Sequence, residues 1–308
     1  MTARFTVLAS GSTGNACLLQ ADGFGLLIDC GIGPRTLARR MAACGVSWRD
    51  VHAVILTHVH GDHWNDAAFR HIGRLCLPLY CHATHGEHLS EVSAIFADLH
   101  AAQCVRGYEA GGAFSPSPGL TCRPLSVSHD CGATFGFRFE GAHGLFGPSW
   151  AIAYVADLGC WDEELARALA DVDLLAIEFN HNVPMQMRSG RPFHLIQRIL
   201  GDRGHLSNEQ AAALLRSAIA ASTHGCLRHV VPLHLSRDCN RANLARAAAR
   251  AALETVGSAA TVHIHEPDHG GPSITIGRRT PPRPRVRRPI TAERTVAGMW
   301  DQPLADAG

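Results

Sequence analysis

One short run of the sequence, Thr57-His58-Val59-His60-Gly61-Asp62-His63, limits what the chain can fold into more than any other feature. Thr57 is the last residue of the apolar run 51–57, which predicts a buried strand, and the rest of the motif follows that strand. A turn at a strand end can direct four side chains toward one point, which a continuous helix or strand cannot do. Neutral imidazole and carboxylate together suit zinc, manganese or iron. A surface turn that is rich in histidine by chance is disfavoured, because this pattern is rarely a coincidence.

Further candidate ligands follow other predicted strands. His129 and Asp130 come after the strand-like residues 125–128, Asp157 after 152–156, and His234 after 230–233. A layered α/β fold places its chemistry at the C-terminal ends of strands. Each of these residues taken alone is an ordinary polar residue at a strand end. Taken with the 58–63 run, they are expected to complete a site for two metal ions, since one turn cannot saturate two.

Predicted strands and helices alternate along most of the chain. Pro34 opens a predicted helix to Ala43 that ends at Gly45, and Ser207 is a predicted N-cap with Gln210 three residues on. Because strands are predicted in both halves of the chain, a layered α/β fold with helices outside its sheets is expected.

The composition changes at about Arg278. Six arginines lie between Arg278 and Arg288, and prolines are interleaved with them. Residues 1–277 are therefore predicted to be the folded domain, and 278–308 a disordered or polyproline-like tail. The tail is either a flexible arm that adds salt-sensitive phosphate contacts or a solvated segment that helps solubility.

Composition also excludes some classes. The 308 residues include no lysine, which excludes a catalytic lysine, and the net charge of +1 gives no strong overall attraction to nucleic acid. The eleven cysteines are odd in number and form no Cys-x-x-Cys pair, which favours reduced thiols over a secreted disulfide framework. The N-terminus carries no apolar run of signal-peptide length, and no stretch is long enough to span a bilayer. A soluble cytoplasmic protein is expected.

The order of these motifs, His-x-His-x-Asp-His and then a lone His, an Asp and a lone His, resembles the metallo-β-lactamase superfamily. The resemblance runs from about Phe5 to His265 and implies the four-layer αββα sandwich of that family. It implies a hydrolase that holds two divalent metal ions, zinc in the first place and manganese or iron as alternatives. The implied ligands are His58, His60 and His129 for one metal, Asp62, His63 and His234 for the other, and Asp157 as the bridge. The segment 27–31 resembles the family's second strand, whose aspartate, Asp29 here, supports the ligands.

Details of the sequence separate the branches of that family. The commonest β-lactamases have cysteine where Asp157 stands, and flavodiiron oxidoreductases usually have glutamate where His60 stands. Glyoxalase-II-type thioesterases typically bind glutathione with basic residues that include lysine, and this chain has no lysine. The segments 10–15, 178–181, 204–210 and 234–240 resemble the YycJ-like branch instead. That resemblance implies an exonuclease that acts on DNA from the 5′ end, and the sequence leaves RNA open as the alternative substrate.

Glu178 and His205 resemble the Glu/His dyad of ribonuclease Z, in which the histidine protonates the leaving oxygen. The implied mechanism is attack by a metal-bridging hydroxide, with Asp62, His205 and Glu178 as the catalytic residues. Ser12, Asn15, His181 and Asn208 are predicted to contact the substrate. For each role a plainer alternative stays open. The turn 11–15 could bind a phosphate or be only a tight turn. His205 could be only a neighbour of a helix cap, Glu178 a surface carboxylate, and His181 a residue that lines the cleft without orienting the substrate.

Two other functions compete with a nuclease. One is a small-molecule metallohydrolase on the same fold, such as a cyclic phosphodiesterase or a thioesterase. The other is a non-catalytic nucleic-acid-binding protein, which the complete set of seven ligands disfavours. The substrate prediction rests on the resemblance, because fold and function are separable. The oligomeric state is left open by the sequence.

Overall fold

The computed structural model describes residues 2–145, 147–266, 270–271 and 273–279. Most of the described strands belong to two mixed sheets. In chain order they are β1 (Ala3–Ala9), β2 (Ala16–Ala21), β3 (Phe24–Ile28), β4 (Ala53–Ile55), β5 (Leu79–His82), β6 (Val105–Tyr108), β7 (Phe114–Ser117), β8 (Leu120–Ser126), β9 (Phe135–Gly141), β10 (His143–Gly144), β11 (Gly147–Pro148), β12 (Ala151–Val155), β13 (Leu174–Glu178), β14 (His229–Leu233), β15 (Thr261–Val262) and β16 (Ser273–Ile276).

The helices lie between these strands in the chain. They are α1 (Pro34–Ala43), α2 (Asp66–Arg74), α3 (Ala83–Val92), α4 (Ala94–Ala101), α5 (Glu163–Ala168), α6 (Val183–Met187), α7 (Phe193–Leu200), α8 (Asn208–Ala220) and α9 (Ala242–Thr255). A single 3-10 turn, Trp48–Asp50, precedes β4.

The first sheet has the order β16-β1-β2-β3-β4-β5-β6, and the second has the order β15-β14-β13-β12-β9-β8-β7. Strands β3 to β6 run parallel to one another, as do β12 to β15. The loops that leave their C-terminal ends therefore lie at a common edge of each sheet, which is where the site is found.

Alternating side chains explain why the two sheets stack face to face. In β12, Ile152 and Tyr154 point into the core between the sheets, whereas Ala153 and Val155 point to the core under the outer helices. Such strands are buried on both faces, as expected of parallel strands covered by helices. The core between the sheets also contains Phe5 of β1, together with buried side chains from both sheets.

The outer helices complete four layers. Leu37 of α1 and Phe69 of α2 pack on the outer face of the first sheet. Leu215 of α8 and Ala249 of α9 pack on the outer face of the second sheet. The predicted αββα sandwich is thus confirmed.

Local signals placed several elements correctly. The helix predicted from Pro34 to Ala43 is α1, and Gly45 after it has φ +71°. Ser207 forms a capping box with Gln210 at the start of α8, with both reciprocal hydrogen bonds present. The strand predicted over 51–57 is shorter than expected, because the chain leaves β4 after Ile55 to build the loop at 58–63.

The last described residues pack on the second sheet. The backbone N–H of Arg279 donates to the Ser149 carbonyl at 2.7 Å, and Arg279 Nε donates to Asp173 Oδ2 at 2.9 Å. Asp173 precedes β13, so this contact lies at the edge of the sheet opposite the C-terminal strand ends. The rest of the predicted tail, 280–308, lies outside the described residues, and the domain boundary at 277 stays a prediction.

No helix in the described parts of the chain combines the length and the apolar character that crossing a bilayer requires.

Candidate metal centre and active-site cleft

Three site residues lie within two residues of the C-terminal ends of strands and have an unusual backbone conformation. Asp29 after β3 has φ +59°, Asp157 two residues past β12 has φ +59°, and His234 after β14 has φ +52°. Residues other than glycine rarely adopt positive φ, and such conformations concentrate at functional sites where the surrounding structure enforces them. The backbone N–H of His234 is held by Ser10 Oγ at 2.7 Å. The sharp turns direct these side chains back over the strand ends.

The seven predicted ligands meet at one place in two groups of three with a shared carboxylate. His58, His60 and His129 bring one ligand atom each within 4.8 Å of one another, and so do Asp62, His63 and His234. Asp157 forms a similar group with His58 and His63, one residue from each set. The loop at 58–63 therefore supplies both halves of the centre, and residues from the second sheet complete each half.

The donor atoms fit divalent metal ions. Among the described residues, His58 Nε2, His234 Nε2 and Asp157 Oδ2 are buried polar atoms that make no hydrogen bond. Buried polar atoms normally have a partner, so three such atoms in one cluster require an explanation. Coordination by a cation satisfies them, and imidazole nitrogens with carboxylate oxygens are suitable ligands for it.

Buried hydrogen bonds fix the orientation of these imidazoles. His63 Nδ1 donates to Asp29 Oδ2 at 2.8 Å, and the Thr57 backbone N–H donates to Asp29 Oδ1 at 2.8 Å. His129 Nδ1 donates to the Gly204 carbonyl at 3.0 Å. A histidine that donates from Nδ1 presents Nε2 as a neutral ligand atom, which is the arrangement metal sites use. Asp29 has no exposed surface, so its contact is with the ligand and not with solvent.

Burial and charge shift the pKa values of the cluster in opposite directions. Burial lowers the pKa of His58 well below its ordinary value, and the charge of His63 adds to the effect. Burial alone would lower the pKa of His63 as well, but the charges of Asp29 and Asp157 outweigh it and raise that pKa. Burial would raise the pKa of Asp157, yet the charges of His234 and His63 hold it well below its ordinary value. Protons bound here must be released before cations can bind.

Asn15 supports the loop from below. Its backbone N–H donates to the Asp62 carbonyl at 2.7 Å, and its Nδ2 donates to Asp62 Oδ2 at 3.0 Å. Asn15 is 2% exposed, and it does not line the cleft. The side chain of Asn15 therefore holds Asp62 in this conformation, and the substrate contact predicted for it stays a prediction.

Glu178 has no exposed surface, so the surface-carboxylate alternative is excluded. Its Oε1 accepts hydrogen bonds from Nδ1 of His205 at 2.9 Å and from Nδ1 of His234 at 3.0 Å. Its Oε2 accepts the backbone N–H groups of Leu158 at 3.0 Å and Leu206 at 3.3 Å. One carboxylate thus orients a candidate metal ligand and the predicted acid together.

The charge state of Glu178 follows from these contacts. Burial raises its pKa, but the charge of His205 and the hydrogen bonds from His205 and His234 lower it to about 2. The group is therefore an acceptor at neutral pH and cannot itself donate a proton. His205 uses Nδ1 for Glu178, which leaves Nε2 as the ring nitrogen that can serve a substrate.

The other three residues predicted to contact the substrate differ in whether they reach the surface of the cleft. Ser12 is exposed and lines the cleft. His181 is fully buried and lies outside the lining, and burial lowers its pKa to about 4. Asn208 is 2% exposed and exchanges two side-chain hydrogen bonds of 3.0 Å with Asn240. A substrate cannot reach His181 or Asn208 in this conformation, because both lie beneath the surface of the cleft.

The cleft has a volume of about 280 Å³, and it includes residues that the sequence did not single out. Asp130 Oδ1 lies 3.3 Å from His60 Nε2, while Asp130 Oδ2 accepts a hydrogen bond from Arg198 Nε at 2.5 Å. Arg191 and Ser236 lie on the walls. Asp130 was already named with His129 as a candidate ligand in the sequence, and the structure places it between His60 and Arg198. Arg191 and Arg198 belong to no local sequence motif. They reach the cleft because of where α7 and the residues just before it lie in the fold.

The four-layer fold and this centre define the class of the protein, a metal-dependent hydrolase, with the candidate active site at the C-terminal strand edges. The chain belongs to the beta-lactamase superfamily, because the family pattern described as "Beta-lactamase superfamily domain" matches residues 25–235. This confirms the resemblance found in the sequence.

Individual relatives are similar over most of the chain. Exodeoxyribonuclease YycJ of Bacillus anthracis is 29% identical over 279 residues, which are 87% of this chain and 97% of that protein. Exodeoxyribonuclease WalJ of Streptococcus pneumoniae is 27% identical over 79% of this chain and 85% of that protein. Among solved structures, the metallo-beta-lactamase fold protein YhfI from Bacillus subtilis has a TM-score of 0.60 and 18% identity, and covers 87% of this chain and 98% of that one. The last comparison supports the fold alone.

Proposed function

We propose that this chain is a nuclease that hydrolyses phosphodiester bonds in DNA from the 5′ end with two divalent metal ions. The observation that carries the proposal is the pairing of two ligand triads with a His–Glu dyad in one cleft. Two relatives named exodeoxyribonuclease, similar over most of their length, support the substrate class. We further propose a cytoplasmic location, which the eleven free cysteines support.

In this proposal His58, His60 and His129 would hold one cation, Asp62, His63 and His234 would hold the other, and Asp157 would be a ligand shared by both sets. Zinc is our first choice, with manganese or iron as alternatives, because histidine and carboxylate ligands suit all three. When bound, the pair of cations would supply an acidified water and neutralise charge that develops on the phosphate.

The chain's own residues supply the rest of the mechanism. Glu178 holds the His205 ring through Nδ1, so that Nε2 faces the cleft and can donate a proton to the departing oxygen. An alkoxide is a poor leaving group, so this proton transfer contributes about 10²–10⁴-fold to the rate. Glu178 also keeps His234 in place, which couples the position of the acid to that of a metal ligand.

A panel of substrates tests the proposal. The purified protein is incubated with 5′-phosphorylated duplex DNA, single-stranded DNA, RNA and an acyl-glutathione, each with and without a chelator. We expect chelator-sensitive release of nucleotides from the 5′ end of DNA. Turnover of the acyl-glutathione alone would overturn the proposal.

A small-molecule phosphodiesterase is the second candidate, and the volume of the cleft favours it. A cavity of about 280 Å³ is close to the lower limit of small-ligand pockets. Adding a cyclic nucleotide to the panel separates the two, because a nuclease should prefer the polymer by a large factor in kcat/KM.

A further inference from the structure

Helix α7 forms part of the wall of the cleft that several candidate ligands also line. Leu195, Arg198 and Ile199 line the cavity, and their spacing of three and four residues puts them on one face of the helix. Arg191, two residues before α7, lines the same cavity. The wall thus combines two guanidinium groups with two aliphatic side chains beside the reactive centre.

The charge of this segment differs from that of the whole chain. Residues 183–205 contain four arginines, Arg188, Arg191, Arg198 and Arg203, and a single carboxylate, Asp202. The chain as a whole has a net charge of +1. A local excess of cations at the mouth of a phosphodiesterase cleft attracts a polyanion where a molecule-wide field cannot.

Two carboxylates hold the guanidinium groups in place. Asp130 accepts from Arg198 Nε at 2.5 Å, which leaves the two Nη groups of Arg198 to other partners, and the Arg198 side chain is 61% exposed. Asp238 contacts Arg191 Nη2 at 3.0 Å. Exposed ion pairs contribute little stability, so a phosphate can compete for the arginines, and a planar guanidinium binds it through two hydrogen bonds.

We infer that α7 and Arg191 bind a single nucleic-acid strand, with Arg191 and Arg198 contacting phosphates that flank the scissile one. Leu195 and Ile199 then pack against the nucleoside between them. The inference places one strand in this cleft of about 280 Å³, so that duplex DNA would open at its end to enter. This inference rests on the proposed function and adds the residues that select the polymer.

The test measures binding of a short single-stranded DNA with phosphorothioate linkages and a 3′ fluorophore to the metal-loaded protein by fluorescence anisotropy. We expect Arg191→Gln and Arg198→Gln each to raise Kd about tenfold and to reduce the dependence of log K on log salt by about 0.7. Arg250→Gln is the matched control, because Arg250 is exposed on α9 and its replacement changes the net charge by the same amount. Leu195→Asn should raise Kd without changing the salt dependence.

A second measurement identifies the phosphate that each arginine contacts. Single neutral methylphosphonate groups are placed at successive positions from the 5′ end, and Kd is measured for the wild type and for Arg198→Gln. The penalty of Arg198→Gln should vanish at one position only. A penalty that persists at every position, or Arg191 and Arg198 variants that behave like Arg250→Gln, would overturn the inference while leaving a nuclease intact. Failure of the wild type to bind or cleave any DNA would overturn the proposed function, and this inference with it.

Discussion

Glu178 and His205 are joined by a hydrogen bond of 2.9 Å between Oε1 and Nδ1, although 27 residues separate them in the chain. Glu178 has no exposed surface, whereas the His205 side chain is 22% exposed and reaches the cleft. A buried carboxylate that orients a partly exposed imidazole is the geometry of a positioned proton donor.

Replacing His205 by alanine tests that role. His205→Ala should reduce turnover of DNA by about 10²–10⁴-fold, because the departing alkoxide then leaves without a proton. An aryl phosphodiester, whose leaving group needs no proton, should be affected much less. Steady-state kinetics on both substrates measure the difference, with His100→Ala, on the exposed side of α4, as the control variant. An equal loss on both substrates would rule out proton donation by His205.

A close backbone approach at Gly31 gives the second prediction. A Cβ at this position would lie 1.7 Å from the Asp62 carbonyl oxygen and 2.9 Å from the Asn15 nitrogen. Gly31→Ala should therefore displace the ligand loop, lower the metal content and destabilise the fold by about 1–3 kcal/mol. Gly33→Ala is the matched control, because no atom lies within 4 Å of a Cβ there. Metal analysis and thermal unfolding of both variants check the prediction, and it fails if the two variants behave alike.

The buried histidine His85 predicts part of the acid sensitivity. It is 2% exposed and donates from Nε2 to the Ala133 carbonyl at 2.8 Å, and burial lowers its pKa to about 4. An unfolded histidine has a pKa of about 6.5, so between these values the unfolded chain binds more protons than the folded protein. The free energy of unfolding contributed by this residue is present above pH 6.5 and is lost as the pH falls toward 4.

His85→Gln removes that titration and keeps a side-chain N–H that can reach the Ala133 carbonyl. The wild type should lose about 2 kcal/mol more than the variant between pH 6.5 and pH 5, at about 1.4 kcal/mol per unit of pH. Urea unfolding at the two pH values measures this, and any constant cost of the substitution cancels in the difference. Parallel losses in the two proteins would show that His85 does not carry the effect.

The sequence predicted those parts of the fold that have local causes. Pro34 and Gly45 delimit α1, and Ser207 with Gln210 starts α8, because each of these signals acts through the backbone of its own neighbours. The strands β7 and β8 were missed or shortened, since Pro116 and Pro124 lie within them and proline argues against a strand. Strand β16 was missed because its stability comes from pairing with β1, far away in the chain.

The site residues show the same contrast between features with local causes and features that depend on distant contacts. The seven candidate ligands could be proposed because they follow predicted strands whose ends meet at one edge of a sheet, and because their order resembles that of the metallo-β-lactamase superfamily. Asn15 was assigned to substrate because its glycine-rich turn could bind a phosphate, whereas the structure pairs it with Asp62, which lies 47 residues away. Helix α7 was not predicted at all, so Arg198 could not be placed in the cleft. Contacts between distant segments decide these roles, and the local sequence does not contain them.

The central claim is that two triads and Asp157 together hold two cations, and counting the metals tests it most directly. Elemental analysis of the purified protein should give about two divalent ions per chain, and Asp157→Ala should lower that number, because Asp157 lies between the triads. Asp98→Ala, an exposed change on α4, should leave the number unchanged. One ion or none in the wild type, or two retained in Asp157→Ala, would contradict the account.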